Sequence, residues 1–330
     1  MSTDAPLERS PLASPAWPAL LRAELARIGL PPDAADETLA TGHPAVSTQH
    51  SLRWGGRTLA LGVRTLIMGV INVTDDSLSG DGLGRDLGAV LARAEALVAA
   101  GADILDVGGE STRPGAPGVA AAEERARVEP AIAIIARRLA VPLSVDTRKA
   151  AVAEAALAAG AGAVNDVSGL RHDRAVAAVA ARTGAGLILG HWLPQRAARD
   201  ATSGEGNPVA EVLRGLQESV DWALAAGCVP EQLAVDPGLG FGKAPRVSLA
   251  LLRDLDALRA LGRPLVVGPS RKGFIGRVLG PAEQHGWEGT AAAVALAVAG
   301  GADIVRVHDV ARLARVVRMA DAITRALSTE

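Results

Sequence analysis

The amino-acid sequence predicts an α/β fold, a single (β/α)₈ TIM barrel with an N-terminal extension and a short N-terminal β-hairpin. Apolar runs recur about eight times, each followed by a polar or glycine-rich stretch and then by an alanine-rich helical segment. The runs are almost continuously apolar, as strands buried on both faces of a parallel sheet must be. The 330 residues accommodate a barrel of roughly 250 residues. No G-x-G-x-x-G fingerprint follows the first run, which argues against a dinucleotide-binding sheet.

Residues 1–50 are predicted to be an N-terminal extension, partly disordered or helical, and residues 51–330 the barrel. The extension is rich in Pro, Ala, Ser and Thr, and one short helix is expected around Leu20–Ile28. At the start of the barrel domain, apolar side chains alternate around Gly55-Gly56. This pattern predicts a β-hairpin that caps the bottom of the barrel.

The eight apolar runs are predicted to be the barrel strands: Leu66–Val73, Asp103–Val107, Pro142–Val145, Ala163–Val167, Gly186–Leu189, Leu233–Val235, Pro264–Val267 and Ile304–Val307. The segments between them space apolar residues three or four apart, which predicts helices with one face on the sheet. A polar stretch from about Leu193 to Asn207 is predicted to be an extended loop after the fifth strand.

The composition favours a small-molecule partner and argues against nucleic acid and membrane. The formal net charge is −2 and the charged residues are interspersed, so no basic patch for nucleic acid is expected. Charges interrupt every apolar stretch well before the roughly 20 residues of a membrane helix. The single cysteine, Cys228, excludes an intramolecular disulfide and is expected to be a small buried hydrophobic residue. Because the first residues also lack a secretory signal pattern, a cytoplasmic location is expected.

Hydrogen-bonding side chains follow every predicted strand. They are Asn72, Asp76, Asp106, Asp146, Asn165, His191, Asp236, Ser270, Arg306 and His308, among others. Because substrates bind at the carboxyl ends of barrel strands, we expect these groups to converge on one pocket. Any single one could instead be a helix N-cap or a satisfied core polar group.

Seven segments of the sequence, in order, resemble the signature segments of the dihydropteroate synthase family. They are MGVINVTDDSLSGDG, DVGGESTRPGA, SVDTRKA, GAVNDVSGL, DPGLGFGK, GPSRKGFIG and RVHDV, from about Gly69 to Val310. The resemblance implies condensation of 6-hydroxymethyl-7,8-dihydropterin pyrophosphate with p-aminobenzoate. The products are 7,8-dihydropteroate and pyrophosphate, in folate biosynthesis. It also implies sulfonamide sensitivity and a homodimer, for which the late alanine-rich helices offer a face.

The same resemblance implies roles for individual residues. Asp146, Asn165 and Asp236 would hold the pterin, with Lys272 on its carbonyl side. Arg306, His308 and Asn72 would meet the pyrophosphate, with Asn72 near Mg²⁺. For p-aminobenzoate the matching positions are Thr112, Arg113, Pro114, Phe241, Ser270 and Arg271. Arg113 and Arg271 could instead be solvated surface arginines, and His191 is left open as a residue of the pocket wall.

A mechanism follows from these assignments, with Asp146, Asp236, Lys272, Arg306 and His308 as the catalytic set. The pterin C–O bond breaks first, and the carboxylates stabilise the resulting cation while the cationic residues and metal stabilise pyrophosphate. A neutral aniline nitrogen then attacks. Because an aniline needs no prior deprotonation, no Ser-His-Asp or Cys-His arrangement is expected.

The first loop departs from the family pattern. Asp75 stands where proline is usual and Leu78 replaces phenylalanine, which predicts weaker binding of p-aminobenzoate and of sulfonamides. Two alternatives remain at this point. One is a non-catalytic pterin-binding paralogue. The other is a folate-dependent methyltransferase, which would not need Ser270-Arg271-Lys272 or the Arg306 and His308 pair.

Overall fold

The computed structural model describes residues 22, 23, 26, 51–74, 82–84, 86–111, 118–192, 207–281 and 286–325. Of the helix expected around Leu20–Ile28, only the three residues 22, 23 and 26 are described, and they are helical. The loop predicted between Leu193 and Asn207 lies outside the described residues except for Asn207. The division at residue 50 stays a prediction.

The predicted hairpin is confirmed. Strand β1 (Ser51–Trp54) pairs antiparallel with β2 (Arg57–Ala60), and Trp54 is the partner of Arg57. Gly55 and Gly56 turn the chain with φ values of 52° and 82°. A two-residue turn with both φ values positive matches the right-handed twist of the flanking strands.

The predicted barrel is also confirmed. Its strands are β3 (Leu66–Asn72), β4 (Ile104–Gly108), β5 (Leu143–Asp146), β6 (Ala163–Asp166), β7 (Gly186–Gly190), β8 (Leu233–Asp236), β9 (Val266–Val267) and β10 (Ile304–Val307). Neighbours pair in parallel in the order β8-β7-β6-β5-β4-β3-β10-β9. A parallel bridge between Val235 and Leu265 connects the two ends of this order, with Val235 N donating to Pro264 O at 2.9 Å. The sheet is therefore closed.

Helices cover the outside of the ring. They are α1 (Leu87–Ala99), α2 (Ala121–Arg138), α3 (Ala150–Ala158), α4 (Ala175–Thr183), α5 (Pro208–Ala225), α6 (Pro245–Arg253), α7 (Gly273–Leu279), α8 (Trp287–Ala299) and α9 (Val310–Thr324), with short 3-10 helices at Pro230–Gln232 and Leu255–Leu261. The apolar stripe of α2 illustrates the packing, because Val128, Ile132 and Ile135 are fully buried. Among the described residues no helix is both long and apolar enough to span a membrane.

The barrel interior is apolar at the bottom. A separate core cluster joins the hairpin to the amino-terminal halves of the barrel strands. Its members are Leu52, Trp54, Leu61, Leu66, Met68, Ile104, Ala163, Ile188, Ala234, Val266 and Ile304. A Cβ added to Gly186 would lie 1.9 Å from Trp54 Cδ1. The indole therefore occupies the space that a side chain on β7 would fill, and the hairpin plugs the bottom of the barrel.

Above this cluster the interior becomes polar. Side chains two positions apart on a strand point to the same face. The polar interior residues accordingly follow the apolar ones by two: Asp106 after Ile104, Asn165 after Ala163, Asp236 after Ala234 and Arg306 after Ile304. The apolar layer supports a polar layer at the carboxyl ends of the strands.

Candidate active site

A buried carboxylate on β4 organises the polar layer. Asp106 is fully buried, and its Oδ2 accepts hydrogen bonds from Arg306 Nε at 2.6 Å and from Asn165 Nδ2 at 3.0 Å. Its Oδ1 accepts from the hydroxyl of Ser144 on β5. One side chain thus connects four strands, β4, β5, β6 and β10. Because one partner is a charged guanidinium, these contacts belong to the stronger class of protein hydrogen bonds.

Arg306 joins two carboxylates. Besides its bond to Asp106, its second nitrogen, Nη2, donates to Asp146 Oδ2 at 2.7 Å, and its side chain is 15% exposed. Burial disfavours the charge of Arg306, but Asp106 and Asp146 outweigh burial and raise its pKa. The guanidinium is therefore fixed as a cation on the floor of the barrel mouth, which is the opening of the barrel at the carboxyl ends of its strands.

Asp146 has a raised pKa. Burial raises it to about 7, the positive charge of Arg306 opposes this, and Asp106 adds to the increase. An ordinary aspartate titrates near 3.9. Asp146 is therefore a carboxylate whose ionisation falls close to neutral pH, as expected for a group in a functional pocket.

Asp236 and Lys272 lie on the other side of the mouth. Burial raises the pKa of Asp236, while a hydrogen bond from Gly238 N at 2.6 Å and the charge of Lys272 act against the increase. Burial lowers the pKa of Lys272 to about 8, and Arg306 contributes to the decrease. The Lys272 ammonium lies 3.7 Å from the centre of the Phe241 ring, a cation–π contact. Lys272 and Phe241 therefore form one wall.

Ser270 and His308 form a second polar pair. His308 Nδ1 lies 3.0 Å from Ser270 Oγ, and His308 N donates to the same oxygen at 3.3 Å. Arg93 of α1 holds the His308 carbonyl at 2.8 Å. Arg271, which lies between Ser270 and Lys272 in the sequence, adopts a left-handed φ of 58°. The sequence Ser270-Arg271-Lys272 thus points its first and third side chains to different parts of the mouth, and Arg271 is partly buried.

Asn72 ends β3 close to the acidic residues. A Cβ placed on Gly108 would lie 3.9 Å from Asn72 Oδ1 and 3.8 Å from Asp146 Oδ2. Within the described residues no group of three His, Cys, Asp or Glu side chains has the geometry of a metal site. Asn72 is therefore one available oxygen ligand, and other ligands for a metal would come from substrate and water.

The site residues predicted from the sequence thus fall into three groups. The first group borders the mouth together: Asp146, Asn165, Asp236, Lys272, Phe241 and Arg306. The second lies at neighbouring strand ends: Asn72, Ser270, Arg271 and His308. The third lies outside the described residues: Thr112, Arg113 and Pro114, together with Asp75, Asp76 and Leu78 of the first loop. Arg306 contacts the acidic floor directly. His191 points away from the mouth, since its Nε2 would lie 2.5 Å from a Cβ on Gly215 of helix α5.

Sequence reasoning placed Asp106 among the polar groups at the strand ends but gave it no role in binding or catalysis. Its inward direction was predictable, because Asp106 follows the apolar Ile104 by two residues on one strand. Ser144 could be found in the same way, two residues before Asp146. Lys243, which is buried at the end of the loop after β8, belongs to the segment DPGLGFGK, but its backbone acceptors could not be identified from the sequence.

Comparisons with known proteins agree with this geometry. The sequence model of the family described as pterin binding enzymes matches residues 68–308. The dihydropteroate synthase of Synechocystis sp. is 43% identical over 266 residues, covering 80% of this chain and 92% of the relative. The dihydropteroate synthase of Xanthomonas albilineans, solved with 4-aminobenzoic acid, has a TM-score of 0.76 and 39% identity, covering 85% and 100% of the two chains. The Yersinia pestis enzyme, solved with a sulfonamide drug complex, has a TM-score of 0.77 and 36% identity, covering 84% and 100%.

Proposed function

The chain belongs to the dihydropteroate synthases, within the family of pterin binding enzymes, and we propose that it joins 6-hydroxymethyl-7,8-dihydropterin pyrophosphate to p-aminobenzoate. The products are 7,8-dihydropteroate and pyrophosphate, and the reaction serves folate biosynthesis. One observation carries this function: Asp146, Asn165, Asp236, Lys272 and Arg306 meet at the carboxyl ends of the strands above an apolar plug.

Pterin recognition follows from the hydrogen-bonding groups of the mouth. The pterin edge offers N–H donors beside one carbonyl, and it needs carboxylate or amide acceptors beside a cationic donor. Asp146, Asn165 and Asp236 supply the first kind, and Lys272 supplies the second. Because Asp106 and Arg306 fix Asn165 and Asp146 beforehand, little ordering is needed when the ligand binds.

Pyrophosphate binding is assigned to the side of the mouth that carries Asn72 and His308. The imidazole of His308, whose Nδ1 lies 3.0 Å from Ser270 Oγ, can donate to anionic oxygens, and Arg306 adds positive charge beneath. Asn72 would hold Mg²⁺ through its amide oxygen, a ligand type that this ion accepts. An ion held there would neutralise part of the negative charge of pyrophosphate.

The chain's contribution to the chemistry is electrostatic. The bond between the pterin methylene carbon and the bridging oxygen breaks, and its electron pair leaves with pyrophosphate. Asp146 and Asp236 stabilise the positive charge that develops on the pterin. The amine nitrogen of p-aminobenzoate then donates its lone pair to the methylene carbon and afterwards loses a proton to solvent. Burial of these carboxylates strengthens their field because little water screens it.

p-Aminobenzoate is proposed to bind beside Phe241 and Ser270. The Phe241 ring, fixed on Lys272 at 3.7 Å, supplies an apolar wall, and the Ser270 hydroxyl and Arg271 supply donors for a carboxylate. Thr112, Arg113 and Pro114 are proposed to complete this subsite.

The test is pyrophosphate release from the dihydropterin substrate with and without p-aminobenzoate. We expect release that depends on p-aminobenzoate and that a sulfonamide inhibits. Tight pterin binding without such release would identify a non-catalytic paralogue and refute the proposed activity.

We propose that the chain forms a homodimer through α7, α8 and α9. Large apolar side chains are exposed on this face: Val278 at 60%, Leu279 at 50%, Trp287 at 43%, Leu296 at 59%, Met319 at 63% and Ile323 at 70%. Two grooves lie on this face: one of about 550 Å³ is lined by α6, α7 and α8, and one of about 860 Å³ is lined by α8 and α9. A second copy supplies a complementary apolar surface by two-fold symmetry. Sedimentation analysis is expected to give a dimer for the parent and a monomer for Leu296→Glu; a parent monomer would refute this assembly.

We further propose a cytoplasmic location, which is supported by the single cysteine. Cys228 is buried and free, so nothing in the chain requires an oxidising compartment.

A further inference from the structure

Lys243 is a buried cation that makes no contact with the mouth itself. Its side chain is 9% exposed, and it lies near the end of the glycine-rich loop that connects β8 to α6. The ammonium group contacts three backbone carbonyls, those of His191, of Gly238 at 2.9 Å and of Phe241 at 3.4 Å. An ammonium has three protons to donate, so each proton has an acceptor in the backbone.

These three carbonyls belong to two different strand ends. His191 follows β7, while Gly238 and Phe241 lie in the loop after β8. Lys243 therefore holds the loop against the neighbouring strand. The backbone of His191 adds to this connection, because its N–H donates to the carbonyl of Asp236 at 3.0 Å.

The loop has little conformational preference of its own. Gly238, Gly240 and Gly242 adopt φ values of 67°, 76° and 64°, and glycine loses more backbone freedom on ordering than any other residue. A Cβ on Gly238 would lie 2.0 Å from the His191 carbonyl oxygen, so the loop passes very close to β7. Side-chain contacts therefore hold it there: the ammonium of Lys243 donates to the backbone of Gly238 and Phe241, and the Ser248 hydroxyl of α6 accepts from Gly240 N at 3.1 Å.

The loop in turn contacts two residues of the pterin site. Gly238 N donates to Asp236 Oδ1 at 2.6 Å. The Phe241 ring lies on the Lys272 ammonium at 3.7 Å. A displaced loop would therefore free both the carboxylate of Asp236 and the side chain of Lys272.

Burying this ammonium is costly. Burial lowers the pKa of Lys243 to about 7, Asp236 opposes the decrease and Lys272 adds to it. Methionine has a similar length and would fill the space without a charge. Because a methionine would avoid the cost of burying a charge, we infer that this position stabilises the loop through the hydrogen bonds of the ammonium and not through packing alone.

We propose that Lys243 is a positioning residue for the pterin: its ammonium fixes the loop of residues 237–242, and the loop sets the geometry of Asp236 and Lys272. The inference rests on the proposed function, because it assumes that those two residues bind a pterin.

The test compares two substitutions to methionine at opposite ends of β8. Gln232 is the matched control: it is 4% exposed, and its Nε2 donates to the carbonyls of Ala180 and Ala185 at the bottom of the barrel. Calorimetric titration with 6-hydroxymethyl-7,8-dihydropterin gives the pterin Kd, steady-state kinetics give the KM for p-aminobenzoate, and thermal melting gives Tm.

We expect Lys243→Met to weaken pterin binding about 30-fold, the loss of one or two well-placed polar contacts. The KM for p-aminobenzoate should rise as well, because Phe241 of the same loop borders its proposed subsite. Gln232→Met should lower Tm by a similar amount and leave the pterin Kd within about twofold. Equal pterin affinity in both variants would overturn the proposal, because Lys243 would then be a structural residue only.

Two further measurements keep the result decisive. In a Phe241→Leu background the effect of Lys243→Met should shrink, since contacting residues are energetically coupled; full additivity would contradict action through the loop. If Lys243→Met does not fold, Lys243→Gln is titrated instead, because its shorter, neutral amide has only two N–H donors for the three carbonyls, and a pterin Kd equal to that of the parent would overturn the inference. Failure of the parent itself to bind the dihydropterin would refute the proposed function rather than the role of Lys243.

Discussion

Asp106→Asn isolates the charge beneath the pterin site. An asparagine can place its amide oxygen where Oδ2 now accepts from Arg306 and Asn165, and its NH₂ group where Oδ1 now meets the Ser144 hydroxyl. The hydroxyl can accept as well as donate. The substitution therefore preserves the number of hydrogen bonds and removes one negative charge.

The magnitude follows from the contacts of Asp106. Two opposite charges about 4 Å apart are worth about 4 kcal/mol at an effective dielectric constant near 20. Part of this is offset, because a neutral amide costs less to bury and no longer repels Asp146. We expect the free energy of unfolding to fall by about 2–3 kcal/mol, in the range of hydrogen bonds to charged groups. Because Arg306 and Asn165 become less well fixed, kcat/KM for the pterin substrate should fall about 100-fold, or about 2.7 kcal/mol.

A matched control exists at the opposite end of the barrel. Asp321 is 2% exposed, and it accepts from Thr65 N at 2.9 Å, from Thr65 Oγ1 at 2.8 Å and from Arg325 Nε at 2.7 Å. Its acceptor pattern closely matches that of Asp106, but it lies far from the carboxyl ends of the strands. Asp321→Asn should cost similar stability and leave kcat/KM within about twofold.

The assay combines urea unfolding with steady-state kinetics over pH. Since the charge of Asp106 helps to raise the pKa of Asp146 beyond the effect of burial, the acid limb of the kcat/KM profile should move to lower pH in Asp106→Asn only. Equal kinetic losses in the Asp106 and Asp321 variants, or an unmoved acid limb, would refute the reasoning.

Three more outcomes follow from the structure. For the parent, the pH profile of kcat/KM for the pterin substrate should be bell-shaped, because Asp146 is ionised above its burial-raised pKa of about 7 and Lys272 is protonated below its burial-lowered pKa of about 8. Lys272→Arg should move only the alkaline limb, to higher pH. A flat profile from pH 6 to 9 would contradict these assignments. Asp236→Asn should lower turnover by about 100-fold or more, and a loss of less than about tenfold, ~1.4 kcal/mol, would exclude an electrostatic role. Trp54→Ala should reduce the free energy of unfolding by about 3–5 kcal/mol in urea titrations while the pterin Kd stays constant; a changed Kd would mean that the plug also shapes the mouth.

Periodicity made the barrel predictable, because strands buried on both faces must be apolar throughout. All eight apolar runs became strands, although β9 has only two residues, Val266 and Val267. This strand is shorter than the predicted run Pro264–Val267 because Leu265 pairs with Val235 only through a single bridge, which does not extend the strand. Sequence patterns do not reveal where a ladder is interrupted at the closure of a barrel.

The candidate site was predictable where it rests on a motif and less so where it rests on packing. Asp146, Asn165, Asp236, Lys272 and Arg306 were found from the segments that contain them. Which side chains bond each other was not, because the contact from Arg306 to Asp106 spans 200 positions. Lys243 ends the segment DPGLGFGK, but its role could not be found from the sequence, because its acceptors are backbone carbonyls and one of them, that of His191, is 52 positions away.

The most direct test of the account is a crystal structure of the enzyme with 6-hydroxymethyl-7,8-dihydropterin. We predict that the pterin lies in the barrel mouth, with its N–H edge on Asp146, Asn165 and Asp236 and its carbonyl toward Lys272. A pterin bound on the outer helices, or in the mouth with its edge turned away from these residues, would contradict the account.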